Sequence, residues 1–415
     1  MGFRMKDMAL GRRASFWVSA GVVTHIFWTS AAPAMTYRLY AEQWHLTATV
    51  TTGVFAVYPI VVVAVLVGFG DLSDHIGRRL VMLLGLGASL SGTLLFAVAP
   101  DVLWLFAGRA LTGIGVGLTA GTATAALVDF SAEGQSTRAA SVTAAAQAFG
   151  FTGALLLGGA LTQYAPWPTH LGFWLLFALI ALLFVATWFL PRRPGAPASR
   201  RWRPKSPAIP AGLAWTFAVA ASAVTTAYTH GVLILSLGGQ VGHDLVASSN
   251  ALVNGGALSL FAITSGVVGI SARGLRPRPA MLLGAIASIA SMGLLALSVA
   301  GQGLSIFLAS TAIAGIGYSL LVLGGLALLG GVVPARHRGG VLSALYLFAY
   351  LSMGIVALGL GVVATERGLG PAVDLGAAAI TALSLGTIGL LTLQRMHDRN
   401  VPAASLSGEG CSQSA

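Results

Sequence analysis

Long apolar runs recur along the chain and are separated by short polar breaks. Their approximate bounds are 15–37, 46–69, 80–99, 102–128, 139–163, 170–190, 211–237, 246–271, 279–300, 303–333, 340–364 and 371–393. An α-helix crosses the hydrocarbon core of a bilayer with about 20 such residues. The pattern therefore predicts twelve membrane-spanning helices, numbered here span 1 to span 12, joined by short loops. The first run has a basic lead (Arg4, Lys6, Arg12, Arg13) and small residues at 31–34, which are features of a signal peptide. Its apolar stretch is longer than a signal core, and its removal would leave an odd number of spans. It is kept as span 1.

Composition agrees with the pattern. Of 415 residues, 56% are hydrophobic and 8% charged, against roughly a quarter charged in soluble proteins. A soluble enzyme, a disordered chain and a coiled coil are excluded. The 54 glycines suit helices that approach closely in lipid. The net charge of +11 raises two questions, nucleic acid or membrane topology. Of the 23 Lys and Arg, 20 fall on the side of the termini, two (Arg38 and Arg367) on the other, and Arg109 inside span 4. Basic loops stay in the cytoplasm. The charge is thus a topology signal. It places both termini in the cytoplasm of a multi-pass cell-membrane protein and gives no reason to expect nucleic acid. Acidic residues, seven inside and five outside, show no such bias.

The chain divides into a cytoplasmic tail at 1–14, a six-helix bundle at 15–190, a basic linker at 191–210, a second six-helix bundle at 211–393 and a tail at 394–415. The six basic residues of the linker serve topology and solvation, with anionic lipid head groups as the alternative. Cys411 is the single cysteine, so no intrachain disulfide or thiolate metal cluster exists. It reads as an inert thiol in a flexible tail rather than a lipid anchor. No cofactor or metal is expected.

The two halves repeat. Residues 70–85 align without gaps on 269–284 at an offset of 199, and both join an even-numbered span to the next. Gly113-Ile-Gly115 in span 4 matches Gly315-Ile-Gly317 in span 10 at an offset of 202. Parallel repeats of this kind place a substrate site between the halves near the midplane.

The segment 70–79 reads Gly-Asp-Leu-Ser-Asp-His-Ile-Gly-Arg-Arg, with Gly70, Asp74, Gly77, Arg78 and Arg79 in the pattern G-x-x-x-D-x-x-G-R-R. Between spans 2 and 3 it resembles the loop signature of the major facilitator superfamily (MFS). Arg109 followed by Gly113 and Gly115 resembles that family's span 4 signature. The resemblance covers residues 15 to about 393. It implies the MFS fold, an all-α membrane protein of twelve transmembrane helices in two six-helix pseudo-repeats, working as a monomer in the lipid bilayer. Asp74 and Arg78 can pair, and Asp129 at the end of span 4 is a second partner for Arg78. In the family such a cluster locks the halves when the site faces outward. Its alternative here is simple solvation of a short loop. The dipole of span 11 would favour an anionic Asp74 near its N-terminus. In the second half Arg273 and Pro277 stand where Asp74 and Arg78 stand in the first, so that gate is degenerate.

Arg109 is the one Lys, Arg, Asp or Glu well inside a span. Eight residues past Asp101, it lies about 10–12 Å deep. Intramembrane charge is costly and usually faces a cavity or a partner. The resemblance implies substrate binding or proton coupling; the alternative is an arginine bonded to backbone carbonyls. Further polar candidates are His25, Trp28 and Thr29 on span 1, Tyr58 on span 2, Gln147 on span 5, Thr226 and His230 on span 7, Asn250 and Asn254 on span 8, and Tyr346 and Tyr350 on span 11. Each alone reads more simply as an interhelical hydrogen bond. Together they outline a central cavity. Gly113, Gly115, Gly158 and Gly159 are read as packing positions. Family antiporters often carry a span 5 motif ending Gly-Pro-x-x-Gly-Gly. Residues 153–159 lack that proline and have one residue more, which weakens a drug/proton antiporter assignment.

The embedded charge is Arg109 with two histidines and no carboxylate, so a cation would find no counter-ion. The expected function is a secondary active transporter moving a small neutral or anionic, partly aromatic organic molecule by alternating access, as proton-coupled efflux. His25, His230 or Asp129 carries the proton. An importer or facilitator of a sugar or organic acid is the alternative within the fold. A membrane-embedded enzyme is disfavoured because no catalytic set falls within a span. A receptor lacks a soluble signalling domain, and a fixed channel fits duplicated halves less well.

Overall fold

A computed structural model describes residues 9–70, 72–131, 136–191, 209–245, 248–301, 303–334 and 338–400. Most of the first tail, most of the linker and the tail carrying Cys411 lie outside the described residues. Among those described, the regular structure is helical throughout. The twelve long helices are Arg12–Ala31, Ala48–Phe69, Arg78–Ala97, Val102–Phe130, Ser136–Tyr164, Leu171–Trp188, Ala214–Val232, Ala251–Ser271, Pro277–Gly301, Leu304–Val332, Arg338–Arg367 and Leu369–Asn400. They correspond in order to spans 1 to 12.

Eleven of them are long and apolar enough to cross a membrane. Span 1 falls short because serines, threonines and His25 dilute it. Those residues turn inward, not to lipid. Ser15, Ser19, His25 and Thr29 are buried. Ser19 Oγ donates to the Ser15 carbonyl at 2.9 Å, so its polar group is satisfied within the helix.

Several boundaries differ from the apolar pattern for local reasons. Span 1 was expected to run to 37 but ends at Ala31. Pro33 lacks a backbone N–H and cannot continue the ladder, so residues Ala32–Met35 form a 3₁₀ turn. A short helix, Tyr37–Trp44, follows and stops at His45 in the left-handed region. Span 7, expected to end at 237, continues through π-helical turns at Leu233–Leu237 and Val241–Leu245. Span 8 begins at Ala251, not 246, because Asn250 caps it by accepting from Leu252 N and Val253 N. Spans 11 and 12 outrun their apolar stretches at both ends, since helical hydrogen bonding does not stop where apolarity does. Gly368, at φ +93°, makes the turn between them, a conformation L side chains rarely adopt.

The two halves pack alike. A Cβ on Gly115 would lie 2.6 Å from the Gly85 carbonyl, and one on Gly317 would lie 3.1 Å from the Gly284 carbonyl. Spans 3 and 4, and spans 9 and 10, therefore touch backbone to backbone at positions related by the sequence offsets. Between the halves, span 2 runs along span 11 and span 5 along span 8. Thr49 Oγ1 donates to the Gly361 carbonyl at 3.1 Å, and a Cβ on Gly159 would lie 2.6 Å from the Ala251 carbonyl. On the face opposite the termini, Gly239 of the span 7 continuation sits against the span 1 turn, its Cβ position 3.3 Å from the Ala34 carbonyl.

Candidate functional site

The break in span 1 explains Arg109. A helix leaves its last four carbonyls without internal partners, and its C-terminus carries negative partial charge. Thr29 and Ser30 are in that last turn. Arg109 reaches them from span 4: Nη1 donates to the Thr29 carbonyl at 3.4 Å and Nη2 to the Ser30 carbonyl at 3.3 Å. Nε donates to the Tyr37 hydroxyl at 3.0 Å. The guanidinium carbon lies 4.9 Å from the Tyr58 ring centroid and 5.8 Å from that of Phe55. Arg109 is 1% exposed. Carbonyl dipoles, a phenol and ring faces, not a carboxylate, hold this charge. The carbonyl-bonded alternative is thus the geometry found.

The histidines are also tied inside their own halves. His25 bonds through Nδ1 to the Val22 carbonyl and through Nε2 to Ser89 Oγ, both at 3.0 Å, joining span 1 to span 3. His230 Nε2 donates to Ser291 Oγ at 3.4 Å, joining span 7 to span 9. The hydroxyl of Ser291 is itself donated to the Ser288 carbonyl. The two histidines make parallel connections, first helix to third, in the two halves.

Several cavity candidates lie elsewhere. Thr226 Oγ1 donates to the Ser222 carbonyl at 2.8 Å and meets Thr387 of span 12. Asn250 is the helix cap, and its Nδ2 donates to the Tyr164 hydroxyl at 3.1 Å. Asn254 Nδ2 donates to the Ser248 carbonyl at 2.9 Å. Both asparagines order the connection from span 7 to span 8. The Trp28 ring lies over Gly153 of span 5, and Gly158 faces Met35. Gly113 faces the Tyr58 carbonyl.

The candidates that converge are aromatic. Tyr346 and Tyr350 have ring centroids 6.2 Å apart. Tyr228 of span 7 lies 5.1 Å from Tyr350, 6.3 Å from Tyr346 and 6.2 Å from Tyr318 of span 10. The Tyr228 and Tyr350 side chains are neighbours, and Gln147 of span 5 lies beside Tyr318. Tyr350 packs against the cluster of Ile26, Tyr58, Val62 and Val116 in the first half. Tyr228 and Tyr318 are not among the residues singled out from the sequence. A depth count of tyrosines would have found them.

On the face of the termini, Arg78 and Asp129 form an ion pair. Gly77, at φ +88°, starts span 3 in a conformation suited to glycine. That turn points Arg78 at the end of span 4. Asp129 sits at a helix C-terminus, where the dipole disfavours an anion, so Arg78 offsets a local cost. Arg79 Nη1 donates to the Leu190 carbonyl at 3.2 Å and lies 5.7 Å from the Trp188 ring. Gly70 approaches Ser343 of span 11, its Cβ position 3.9 Å from that hydroxyl. Asp74 lies in the short helix Leu72–Ile76, and its side chain is outside the described residues. In the second half Arg273 donates from Nε to the Gly269 carbonyl at 3.1 Å and from Nη1 to Ser141 of span 5. The degenerate motif thus still bridges the halves.

Known proteins share this architecture. The family model described as Major Facilitator Superfamily matches residues 17–357. A curated relative, the multidrug efflux pump LfrA of Mycolicibacterium smegmatis, is 32% identical over 136 residues, which is 32% of this chain and 27% of that protein. The chain's match thus spans about a quarter of that relative's length. Among solved structures, a peptide transporter POT aligns with TM-score 0.72 at 16% identity, covering 96% of this chain and 99% of that one. A POT family transporter in complex with a thioalcohol conjugated peptide aligns with TM-score 0.75 at 13% identity over 93% and 96%. The nucleoside transporter NupG aligns with TM-score 0.68 at 14% identity over 91% and 98%. The helical architecture, the repeated glycine packing and the match over most of its length together show that this chain belongs to the Major Facilitator Superfamily.

Proposed function

We propose that this chain is a secondary active transporter that exports a small neutral or anionic organic molecule by alternating access, driven by the proton gradient. The observation that carries the substrate charge is Arg109, a buried cation whose described partners are carbonyls, a phenol and rings. A cationic substrate about 8 Å from it would meet about 2 kcal/mol of repulsion at an effective dielectric of about 20. Cation–π contacts with tyrosine faces offer about 0.5–2 kcal/mol in return. The balance does not favour a cation, whereas an anion gains from the same field. Export is supported by the likeness to an efflux pump. Both termini are assigned to the cytoplasm by the basic-residue asymmetry. The proton carrier is one of His25, His230 and Asp129, each of which is bound to a partner within its own half.

Purified protein in liposomes tests this. An imposed pH gradient should drive accumulation of an anionic aromatic probe such as 2-naphthoate. Of Asp129→Asn, His25→Gln and His230→Gln, the variant that removes the proton carrier should abolish gradient-driven accumulation and spare exchange down a concentration gradient. Accumulation that ignores the gradient would refute proton coupling, and a preference for cationic probes would refute the charge assignment.

A further inference from the structure

The chain has eight tyrosines. Four of them, Tyr228, Tyr318, Tyr346 and Tyr350, meet ring to ring in the second half, and a fifth, Tyr58 of the first half, belongs to the cluster that Tyr350 packs against. Tyr228 and Tyr350 pack against the core with Tyr346 beside them, yet each of the three keeps part of its surface uncovered. Side chains that are enclosed and still partly bare border an internal space. The rings are not simply stacked to fill it. Tyr228 meets Tyr350 edge-on at 85°, tilts 52° to Tyr346 and lies 28° from the plane of Tyr318. Faces, edges and hydroxyls are therefore all presented around the gap. Gln147, beside Tyr318, adds an amide from the first half. Aliphatic residues would fill a bundle centre at lower cost, since a buried phenol needs a partner for its hydroxyl.

We infer that these five tyrosines and Gln147 form a box that grips a planar aromatic ring, with ring faces and edges supplying stacking and the hydroxyls and amide directing the ring's polar substituent. Because Tyr228, Tyr318, Tyr346 and Tyr350 belong to one half and Tyr58 and Gln147 to the other, a ring held here touches both halves at once. Release requires that they part. This deepens the transporter reading and rests on it for the direction of movement, but the recognition itself can be measured without transport.

The test uses the full chain in lipid nanodiscs and isothermal titration with matched probes: 2-naphthol, 2-naphthoate, 2-naphthyltrimethylammonium and decahydro-2-naphthoate. The last keeps size and charge but has no π-system. The aromatic carboxylate should bind at least about tenfold more tightly than its saturated analogue. Tyr346→Leu and Tyr350→Leu should each remove about tenfold of that affinity, while Tyr346→Phe, which keeps the ring, should stay within about threefold. Trp17→Leu, an exposed aromatic on span 1, should change nothing. Equal binding of the saturated and aromatic carboxylates would overturn the box, and this needs no variant to fold. Tyrosine-to-leucine variants that keep wild-type affinity would overturn it too. Aromatic preference with tightest binding of the ammonium would support the box and refute the charge assignment made above. Aromatic binding without any movement of the probe across the membrane, down its own gradient or driven by protons, would support the box and refute the transporter reading.

Discussion

At the scale of single residues, context decided roles that residue type left open. Arg109 stood out because a charge inside a span is rare. That signal is equally strong for a substrate ligand and for a helix cap, and the carbonyls that Arg109 binds come from another helix. Arg109→Ala should leave the Thr29 and Ser30 carbonyls and the Tyr37 hydroxyl without their donor. We expect a loss of about 1–3 kcal/mol in thermal unfolding of the detergent-purified protein. Arg109→Lys should recover only part of it, because an ammonium lacks the planar fork. Glycines sort in the same way. Gly115 and Gly121 are six residues apart on span 4. A Cβ at Gly115 would meet the Gly85 carbonyl at 2.6 Å, while at Gly121 nothing lies within 4 Å. Gly115→Leu should therefore reduce the yield of monodisperse protein, and Gly121→Ala should not.

At the scale of elements, the apolar runs located the helices and missed how several of them end. Hydrophobicity marks what a bilayer can accommodate, and caps, prolines and π-turns answer to backbone hydrogen bonding instead. Pro33 was in plain view in span 1 but sat among apolar neighbours. The π-turns that carry span 7 on to Leu245 have no compositional mark, since the same residues would serve an α-helix. Asn250 illustrates the consequence. Four residues before Asn254, it looked like half of a polar pair facing a cavity, whereas it caps span 8. Asn250→Ala should cost about 1 kcal/mol of stability, read as a lower unfolding temperature, with Asn250→Asp rescuing it. Neither change should alter which probes bind.

At the scale of the whole molecule, the two halves touch along spans 2 and 11 and spans 5 and 8, and again where the span 1 turn meets Gly239. Alternating access requires that last contact to open and close. With Cys411 replaced by Ser, the double variant Ala34→Cys and Gly239→Cys should form a disulfide on mild oxidation. Transport should then stop and should return on reduction. Continued transport by the crosslinked protein would show that the face opposite the termini does not open there. The membrane class, the span count and the duplication were all legible in the sequence. Each is written in local runs, in counts, or in short segments that can be aligned on one another. The aromatic centre was legible only in part. Tyr58, Tyr346, Tyr350 and Gln147 were singled out, Tyr228 and Tyr318 were not, and Thr226 and Asn250 were included although they face elsewhere. A residue's depth in a span follows from its position along the chain. The direction in which it points follows from how the helix is rotated against its neighbours. That rotation is set by contacts between residues far apart in sequence, and so only the tertiary structure decided it.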